Sequence, residues 1–190
     1  MQNQERKDKG NMGKKISIMN ADVIQREIDR MAQEMIDQNK DLLDIVIIGI
    51  QRRGVPLAQR IAEAIFKKEG FSVPVGILDI TFYRDDLSML AEHPVVNGTE
   101  IDFALTDKII ILVDDVLYTG RTIRAAIDAC MDIERPRAIQ LAALVDIGHR
   151  ELPICANYIG RVIETSTEER VSVHLDEIDN EDHVVLETNE

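Results

Sequence analysis

The chain has 190 residues, 45% of them hydrophobic, and a formal net charge of −13 at pH 7. This apolar content suffices for the core of one ordinary globular domain. The longest apolar runs, Ile45–Ile48 and Ile109–Val113, are far too short to span a membrane. The acidic balance opposes nonspecific nucleic-acid binding, so an RNA contact would need a local basic patch.

Residues 1–15 are polar and carry five basic and two acidic side chains, without apolar periodicity or the apolar core of a signal peptide. We therefore expect a disordered tail over 1–15, a single domain over 16–190, and a cytoplasmic protein. The two cysteines, Cys130 and Cys155, lack the spacing of metal ligands and are expected to be free thiols.

The first predicted element is an amphipathic helix that Asn20 can cap and that runs to about Gln38. Its apolar face is formed by side chains at helical spacing, namely Ile24, Ile28, Met31 and Met35. Arg26 and Arg30 lie on a more polar face. Such a pair is usually solvated surface, but Arg30 is kept as a candidate ligand-binding residue.

A buried strand over Asp44–Gly49 is followed by the loop Ile50–Gly54 and by a helix that starts near Pro56. The loop contains Arg52 and Arg53. Ordinarily two loop arginines only add solubility. Because ligands bind at the carboxyl edge of open α/β sheets, we favour a site for a polyanion here.

Val73–Phe82 is predicted as the next strand, and a polar excursion over about 83–107 follows it. The Asn97-Gly98 pair is a strong hairpin signal, and an excursion of this length in a compact domain usually has a function. We predict a flexible arm that covers the substrate, with a subunit contact as the alternative. Arg84 would add positive charge when the arm closes, unless it is a surface residue beside Asp85-Asp86.

The central prediction concerns Ile109–Thr122. Its apolar run reads as a strand buried on both faces and ends on Asp114 and Asp115. The loop Val116–Gly120 leads to a helix over Thr122–Ala129, and the backbone N–H groups at such a turn bind anions. The carboxylates suit sugar hydroxyls or a divalent metal, so the segment predicts a sugar-phosphate pocket.

A further buried strand, Ala138–Val145, follows Pro136 and places Asp146–Arg150 at the same edge as the two earlier loops. Asn157–Val162 and Glu169–Glu177 are predicted as short strands of a cap, and the acidic C-terminal stretch as a solvated edge. Alternating strands and helices predict a three-layer α/β domain with a mostly parallel sheet.

The wording VDDVLYTGRT at Val113–Thr122 resembles the phosphoribosyl-pyrophosphate (PRPP) loop of type I phosphoribosyltransferases. With GHRELP at Gly148–Pro153, it resembles one branch, the bifunctional pyrimidine operon attenuation protein/uracil phosphoribosyltransferase family. The likeness covers Ile16 to the C-terminus. It implies the type I phosphoribosyltransferase fold with a small hood and a flexible arm, conversion of uracil and PRPP to UMP and pyrophosphate with Mg²⁺, and homo-oligomers.

Site residues follow from matching PRPP to the three loops and from this resemblance. Asp114 and Asp115 would hold the ribose hydroxyls and Mg²⁺, directly or through water, and Arg52 and Arg53 would neutralise the departing pyrophosphate. Further PRPP contacts are expected from Gly54, Arg84, Val116, Leu117, Tyr118, Thr119, Gly120, Arg121 and Thr122. Val145, Asp146 and Arg150 are candidates for the base. His149 is available as a general base but reads more simply as a structural residue.

The resemblance also implies binding of pyrimidine operon leader RNA, with UMP or UTP as co-effector. The matching positions are Arg30, Arg150 and Arg161. Two residues depart from the RNA-binding pattern, Asp29 in place of a neutral residue and Cys155 in place of an arginine, and both weaken attraction to RNA. That the base is uracil rests on the resemblance alone. The alternatives are a purine or orotate phosphoribosyltransferase and a nucleotide sensor without turnover.

Overall fold

A computed structural model of the protein describes residues 15–83 and 98–188. The strands and helices in these ranges are β1 Lys15–Asn20, α1 Ala21–Gln38, β2 Ile45–Ile50, α2 Gly54–Glu69, β3 Val75–Leu78, β4 Ile109–Leu117, α3 Arg121–Ile133, β5 Ala138–Asp146, β6 Tyr158–Val162, β7 Glu169–His174, α4 Asp176–Asp179 and β8 His183–Thr188. None of the described helices is long and apolar enough to cross a membrane.

The main sheet has five parallel strands in the order β3-β2-β4-β5-β6. β2 is buried along its whole length, as its run of six apolar or glycine residues dictates. β4 lies at the centre of the sheet, with Ile45 beside Ile109 on one side and Leu112 beside Leu141 on the other. All carboxyl ends of these strands therefore meet at one edge.

Helices cover the two faces of this sheet and give the predicted three layers. Side chains of α1 and α2 pack on alternate residues of the strands, such as Ile47 and Ile111. α3 packs on the opposite set, such as Ile48 and Leu112. The cap of α1 is the predicted one, since the Asn20 side chain accepts a hydrogen bond of 3.0 Å from the Val23 N–H.

A second sheet has three antiparallel strands, β1-β8-β7, and we call this sheet, together with the α4 connection between β7 and β8, the hood. Val173, Val184 and Leu186 of the hood are buried in the same core as α1 and α2. β1 pairs with β8 from Lys15 to Asn20, with an irregularity between Ser17 and Met19. The hood thus joins two segments from opposite ends of the described chain.

Several sequence predictions placed elements wrongly. β3 ends at Leu78 and not at Phe82, because the chain turns into a short 3₁₀ helix over Thr81–Tyr83. β4 continues through the carboxylate pair to Leu117, because Val116 and Leu117 still pair with β5. α2 begins at Gly54, before Pro56.

The C-terminal third differs most from the prediction. Asn157–Val162 was predicted in the cap, but β6 pairs parallel to β5 and forms the edge of the main sheet. The acidic stretch is not merely a solvated edge, because it contributes β8, the middle strand of the hood, with Val184 to Leu186 buried. β7 ends at His174, where Glu169–Glu177 had been predicted as one strand.

Only part of the predicted arm lies within the described residues. Gly98, at the predicted turn, has a φ of +102°, and Glu100 forms an isolated antiparallel bridge with Ile77 of β3. The rest of the predicted arm hairpin, including Asn97, and the candidate residue Arg84 fall outside them. The predicted tail also falls outside, apart from Lys15, which begins β1.

Candidate active site

Three loops meet at the carboxyl edge of the parallel sheet, after β2, β4 and β5, as the sequence predicted. The loops after β4 and β5 are bonded to each other, since Ile147 N–H donates to the Leu117 carbonyl and the N–H groups of Glu151 and Leu152 donate to the Thr119 carbonyl. The loop after β2 approaches through Gly54. A Cβ added to Gly54 would lie 2.2 Å from the Val113 carbonyl oxygen, so only glycine allows α2 to start this close to the carboxylate pair.

Asp114 and Asp115 present oxygen atoms at the end of the central strand. Asp114 is buried, with 7% of its surface exposed, and it accepts the Asp115 N–H at 3.0 Å. Burial, and after it the adjacent Asp115 carboxylate, raise the pKa of Asp114 well above its usual value. The half-buried Asp115 lines an adjoining cavity. Two carboxylates that repel each other fit a divalent cation that prefers oxygen ligands, such as Mg²⁺.

The turn from Leu117 to Thr122 has the form of an anion site. Gly120 adopts a left-handed φ of +91° immediately before α3, a conformation that favours glycine. The N-cap residue Gly120 has no side chain to cap α3, and among the described residues the Thr119 hydroxyl accepts only the Arg121 N–H, at 3.3 Å, so the following backbone N–H groups of the first turn can bind an anion. The Arg121 side chain pairs with Glu151 at 2.6 Å, which anchors the turn to the loop after β5.

The Arg150 side chain stabilises this turn through several hydrogen bonds. Its guanidinium donates to the carbonyl oxygens of Leu117, Tyr118, Gly148 and Ile154 and pairs with the Asp146 carboxylate at 2.5 Å. A side chain with this many internal acceptors has little capacity left for a ligand. Arg150 was predicted to contact the base or RNA, and the structure places it as a brace of the turn.

The loop after β2 contains a cis peptide bond between Gln51 and Arg52. The Arg52 side chain is exposed, and it makes no hydrogen bond or ion pair with another described residue. Arg53 instead forms a two-point ion pair with Asp179 of the hood, with N···O distances of 2.8 and 3.2 Å. The two arginines thus differ, one being exposed and the other tied to the hood.

Two cavities separate the carboxyl edge from the hood. One, of about 240 Å³, is lined by Arg53, Asp115 and the hood strand β7. The other, of about 400 Å³, is lined by Val116, Tyr118, Ile147 and the segment Thr167–Val171. Val145, a candidate for the base, has no exposed surface and is packed in the core, so it lines neither cavity.

His149 lies beside the second cavity with its ring edge-on to Tyr118, at a centroid distance of 5.9 Å. Its Nε2 is 2.7 Å from the Thr165 carbonyl oxygen. The residue has a positive φ of 57°. These contacts fit the structural interpretation of His149.

The structure also adds residues that the sequence analysis missed. Lys15, Arg170 and Glu187 line the cavity that contains Arg53 and Asp115, and Asp179 pairs with Arg53. The alternation of buried and open residues along β7 was the only local signal that could have indicated Arg170. Nothing in the sequence pattern singles out Asp179 among its acidic neighbours.

Two of the three RNA candidates come together away from this edge. Arg30 and Arg161 both contact the carboxylate of Glu27, at 2.9 and 3.6 Å. Arg30 also pairs with Glu34 and donates to the carbonyl oxygens of Ile159 and Gly160. Arg150 belongs to the other site.

The two departures also lie outside the three loops. Asp29, on α1, accepts a hydrogen bond from the Gln25 side chain, and Cys155 is an exposed free thiol.

Comparison with known proteins decides the family. A model of the phosphoribosyl transferase domain matches residues 17–178. The Bifunctional protein PyrR of Acetivibrio thermocellus is 61% identical over 172 residues, covering 90% of this chain and 94% of that protein. The chain belongs to the PyrR family of phosphoribosyltransferases.

A second relative supports this assignment. The Bifunctional protein PyrR of Pelotomaculum thermopropionicum is 58% identical over 177 residues, which cover 93% of this chain and 98% of that protein. A hypoxanthine-guanine phosphoribosyltransferase from Bacillus anthracis superposes with a TM-score of 0.68 over 92% of this chain and 98% of that one. At 16% identity this likeness shows the fold alone. The predicted type I phosphoribosyltransferase fold is confirmed.

Proposed function

We propose that the chain is a uracil phosphoribosyltransferase, which converts uracil and PRPP to UMP and pyrophosphate, and that it regulates pyrimidine operons by binding leader RNA in the presence of UMP or UTP. One observation carries the enzymatic part. The buried Asp114 and the half-buried Asp115 lie shortly before the helix start at Gly120–Arg121, on the carboxyl edge of a parallel sheet. Membership of a family whose relatives are named bifunctional supports the regulatory part.

The proposed site holds PRPP through three kinds of contact. The turn Val116–Thr122 binds the 5-phosphate through backbone N–H groups and the hydroxyls of Thr119 and Thr122. Asp114 and Asp115 accept hydrogen bonds from the two ribose hydroxyls. Gly54 lets the loop after β2 come close enough for Arg52 to bind the pyrophosphate.

In the reaction a nitrogen of uracil bonds to C1 of the ribose while the bond from C1 to pyrophosphate breaks; pyrophosphate leaves with the electron pair, and the N–H proton of that nitrogen is released to solvent. Positive charge grows on the ribose ring, and the carboxylates beside it stabilise that charge. Mg²⁺, held by Asp114 and Asp115 directly or through water, would supply charge neutralisation on the pyrophosphate. Most of the acceleration then comes from positioning, because no covalent intermediate is required.

The exposed Arg52 has the larger proposed role toward the leaving group. Arg53 is already neutralised by Asp179, so it contributes by fixing the hood over the loop. Arg84, in the predicted arm, is proposed to close over the pyrophosphate. Asp146 would face uracil through its backbone groups, with Arg150 fixing the loop in place, while the fully buried Val145 would support this loop from the core.

The proposed RNA face is the patch of Arg30 and Arg161 around Glu27. Its arginines are partly neutralised by Glu27 and Glu34, and the whole chain is acidic. Binding should therefore be weak unless a uridine nucleotide and a second copy of the chain assemble the face. Assembly into homo-oligomers, the cytoplasmic location, and the division into a tail over 1–15 and one domain over 16–190 stay predictions.

An assay of PRPP consumption with uracil, hypoxanthine, guanine and orotate tests the enzymatic proposal. We expect turnover with uracil alone. Turnover with hypoxanthine or guanine would favour the purine alternative, and turnover with orotate would favour the orotate alternative. Binding of PRPP or UMP without turnover would favour a sensor.

Filter binding with a leader RNA at two salt concentrations, with and without UMP, tests the regulatory proposal. Absence of binding at low salt with UMP would refute it.

A further inference from the structure

A cluster of metal-ligating side chains lies in the hood, and one of its residues, His174, also lines the cavity that contains Arg53 and Asp115. His174 on β7 faces His183 on β8 directly across the antiparallel pair. The two rings stack at a centroid distance of 4.3 Å with an angle of 15° between their planes. Glu181, two residues before His183, brings its carboxylate to 3.5 Å from the Nδ1 of His183.

The ligand atoms of these three residues all lie within 4.8 Å of one another. A zinc ion about 2.0–2.1 Å from each ligand needs ligand atoms roughly 3–4 Å apart, which small side-chain rotations would provide. The rings are half-buried and Glu181 is exposed, so an ion can enter from solvent. The β7–β8 pairing fixes the backbone of both histidines in advance.

The donors themselves indicate the class of metal. Two imidazoles and one carboxylate suit Zn²⁺ and similar transition metals, whereas Mg²⁺ prefers oxygen ligands alone. Among the described residues, neither histidine makes a hydrogen bond that would hold its ring in another role. The nearest further contact is Asp179, whose Oδ1 lies 3.9 Å from the His174 Nδ1 and which is already paired with Arg53.

We infer that His174, Glu181 and His183 form a binding site for a divalent transition metal of the Zn²⁺ class, distinct from the Mg²⁺ position at the carboxylate pair. The site has three protein ligands and leaves a remaining position for water. It lies on the hairpin that carries Asp179, the partner of Arg53 in the loop after β2.

Calorimetric titration of the EDTA-treated, dialysed full chain with ZnCl₂ tests the site, and Co²⁺ provides visible absorption bands that report nitrogen and oxygen ligands. We expect one ion per chain, unaffected by excess Mg²⁺. His183→Phe keeps a ring stacked on His174 but cannot bind metal, and it should weaken zinc binding at least about 100-fold, since even loss of an outer partner of a ligand costs 10- to 100-fold. His174→Phe should behave alike, and Glu181→Gln should weaken binding about tenfold.

Two control variants locate the ion. His149→Ala removes another histidine and Asp115→Asn disables the carboxylate pair, and both should bind zinc as the unmodified chain does. Circular dichroism confirms that each variant is folded. The inference is overturned if the unmodified chain binds no zinc, if both phenylalanine variants bind it as well as the unmodified chain, or if Asp115→Asn abolishes binding.

Discussion

At the scale of single residues, Asp114 shows how a carboxylate proposed to bind a ligand opposes stability. It is the only acidic or basic side chain that is buried among the residues that the structure describes. The pKa of an aspartate in an unfolded chain is about 3.9, whereas burial and the Asp115 carboxylate raise the pKa of Asp114 in the folded protein. Folding is therefore penalised once the pH exceeds the unfolded value, and the penalty grows until the folded pKa is passed.

Asp114→Asn removes this charge and keeps an oxygen that can accept the Asp115 N–H. We expect the free energy of unfolding of the variant, minus that of the unmodified protein, to increase from pH 4 to pH 8. Urea denaturation at several pH values measures this difference. A difference independent of pH would show that Asp114 is not destabilised by its charge in the folded state.

Asp115→Asn tests the proposed ribose contact. Turnover should fall by roughly 10²–10³, which corresponds to about 3–4 kcal/mol of transition-state stabilisation, with the fold intact. The matched control is Asp128→Asn, at an exposed aspartate of α3 that pairs with Arg124, and it should keep full activity. Near-normal turnover with uracil in Asp115→Asn would remove this carboxylate from the mechanism.

The two cysteines should differ in reactivity. Burial raises the pKa of Cys130 to about 12, so its reactive thiolate is scarce, while Cys155 is exposed. A thiol reagent should label one cysteine per native chain and both in urea, and peptide mapping should place the native label on Cys155. Rapid native labelling of Cys130 would show that α3 opens readily.

At the scale of elements, Arg60 ties α2 to the hood. Its guanidinium makes two-point contacts with Glu177 and with Asp182, at 2.6–2.9 Å. The hydrogen bonds from Arg60 lower the pKa of Glu177. Burial alone would raise the pKa of Asp182, but the hydrogen bonds from Arg60 and from the Asp176 N–H outweigh it, so this pKa is lowered as well. These carboxylates thus stabilise the fold above their unfolded pKa values and lose that contribution as the pH falls through the folded ones.

Arg60→Ala should lower the free energy of unfolding by about 1–3 kcal/mol at pH 7, a range between exposed and buried ion pairs. The loss should shrink as the pH falls toward about 3. Chemical denaturation measures it, with Arg124→Ala as the control at an exposed pair, for which less than about 0.5 kcal/mol is expected. An equal loss in both variants would mean that the Arg60 contacts add nothing beyond a surface pair.

β2, β4 and β5 of the main sheet could be predicted from the sequence because each contains a long apolar run and lies next to a predicted helix. Asn20 gave the correct start of α1. The hood could not be predicted, because β8 mixes Val184–Leu186 with acidic residues and its partner β1 is about as distant in the chain as the fold allows. The sequence of β6 likewise does not indicate that it joins the main sheet, because the hydrophobic pattern of a strand does not specify which strand it pairs with.

At the scale of the site, the sequence correctly predicted that the loops after β2, β4 and β5 meet, but it did not predict which of their side chains pair inside the protein. Asp114, Asp115 and the turn at Gly120 are where they were predicted. Arg150 and Arg53 differ, because each pairs inside the protein with a carboxylate, Asp146 or Asp179. Which arginine is internally paired depends on tertiary contacts that no motif contains.

At the scale of the whole molecule, the proposed binding of RNA is opposed by the negative net charge of the chain. Glu27 neutralises both Arg30 and Arg161, so Glu27→Gln should tighten binding of leader RNA several-fold and steepen its dependence on salt. Asp128→Asn makes the same change of net charge on the opposite layer and should have a smaller effect. Filter binding measures both; equal gains would mean that bulk charge, not this patch, governs binding.

The pairing of β1 with β8 has a consequence for biosynthesis. Residues 15–20 leave the ribosome early, yet the strand that they flank, 183–188, is made more than 160 residues later. Until β8 is made, β1 has no pairing partner in the hood, and the hood that lines the two cavities is incomplete. Ribosome-bound chains truncated before His183 should therefore be protease-sensitive at Lys15 and unable to retain nucleotide, so that competence arises only as translation of this segment is completed.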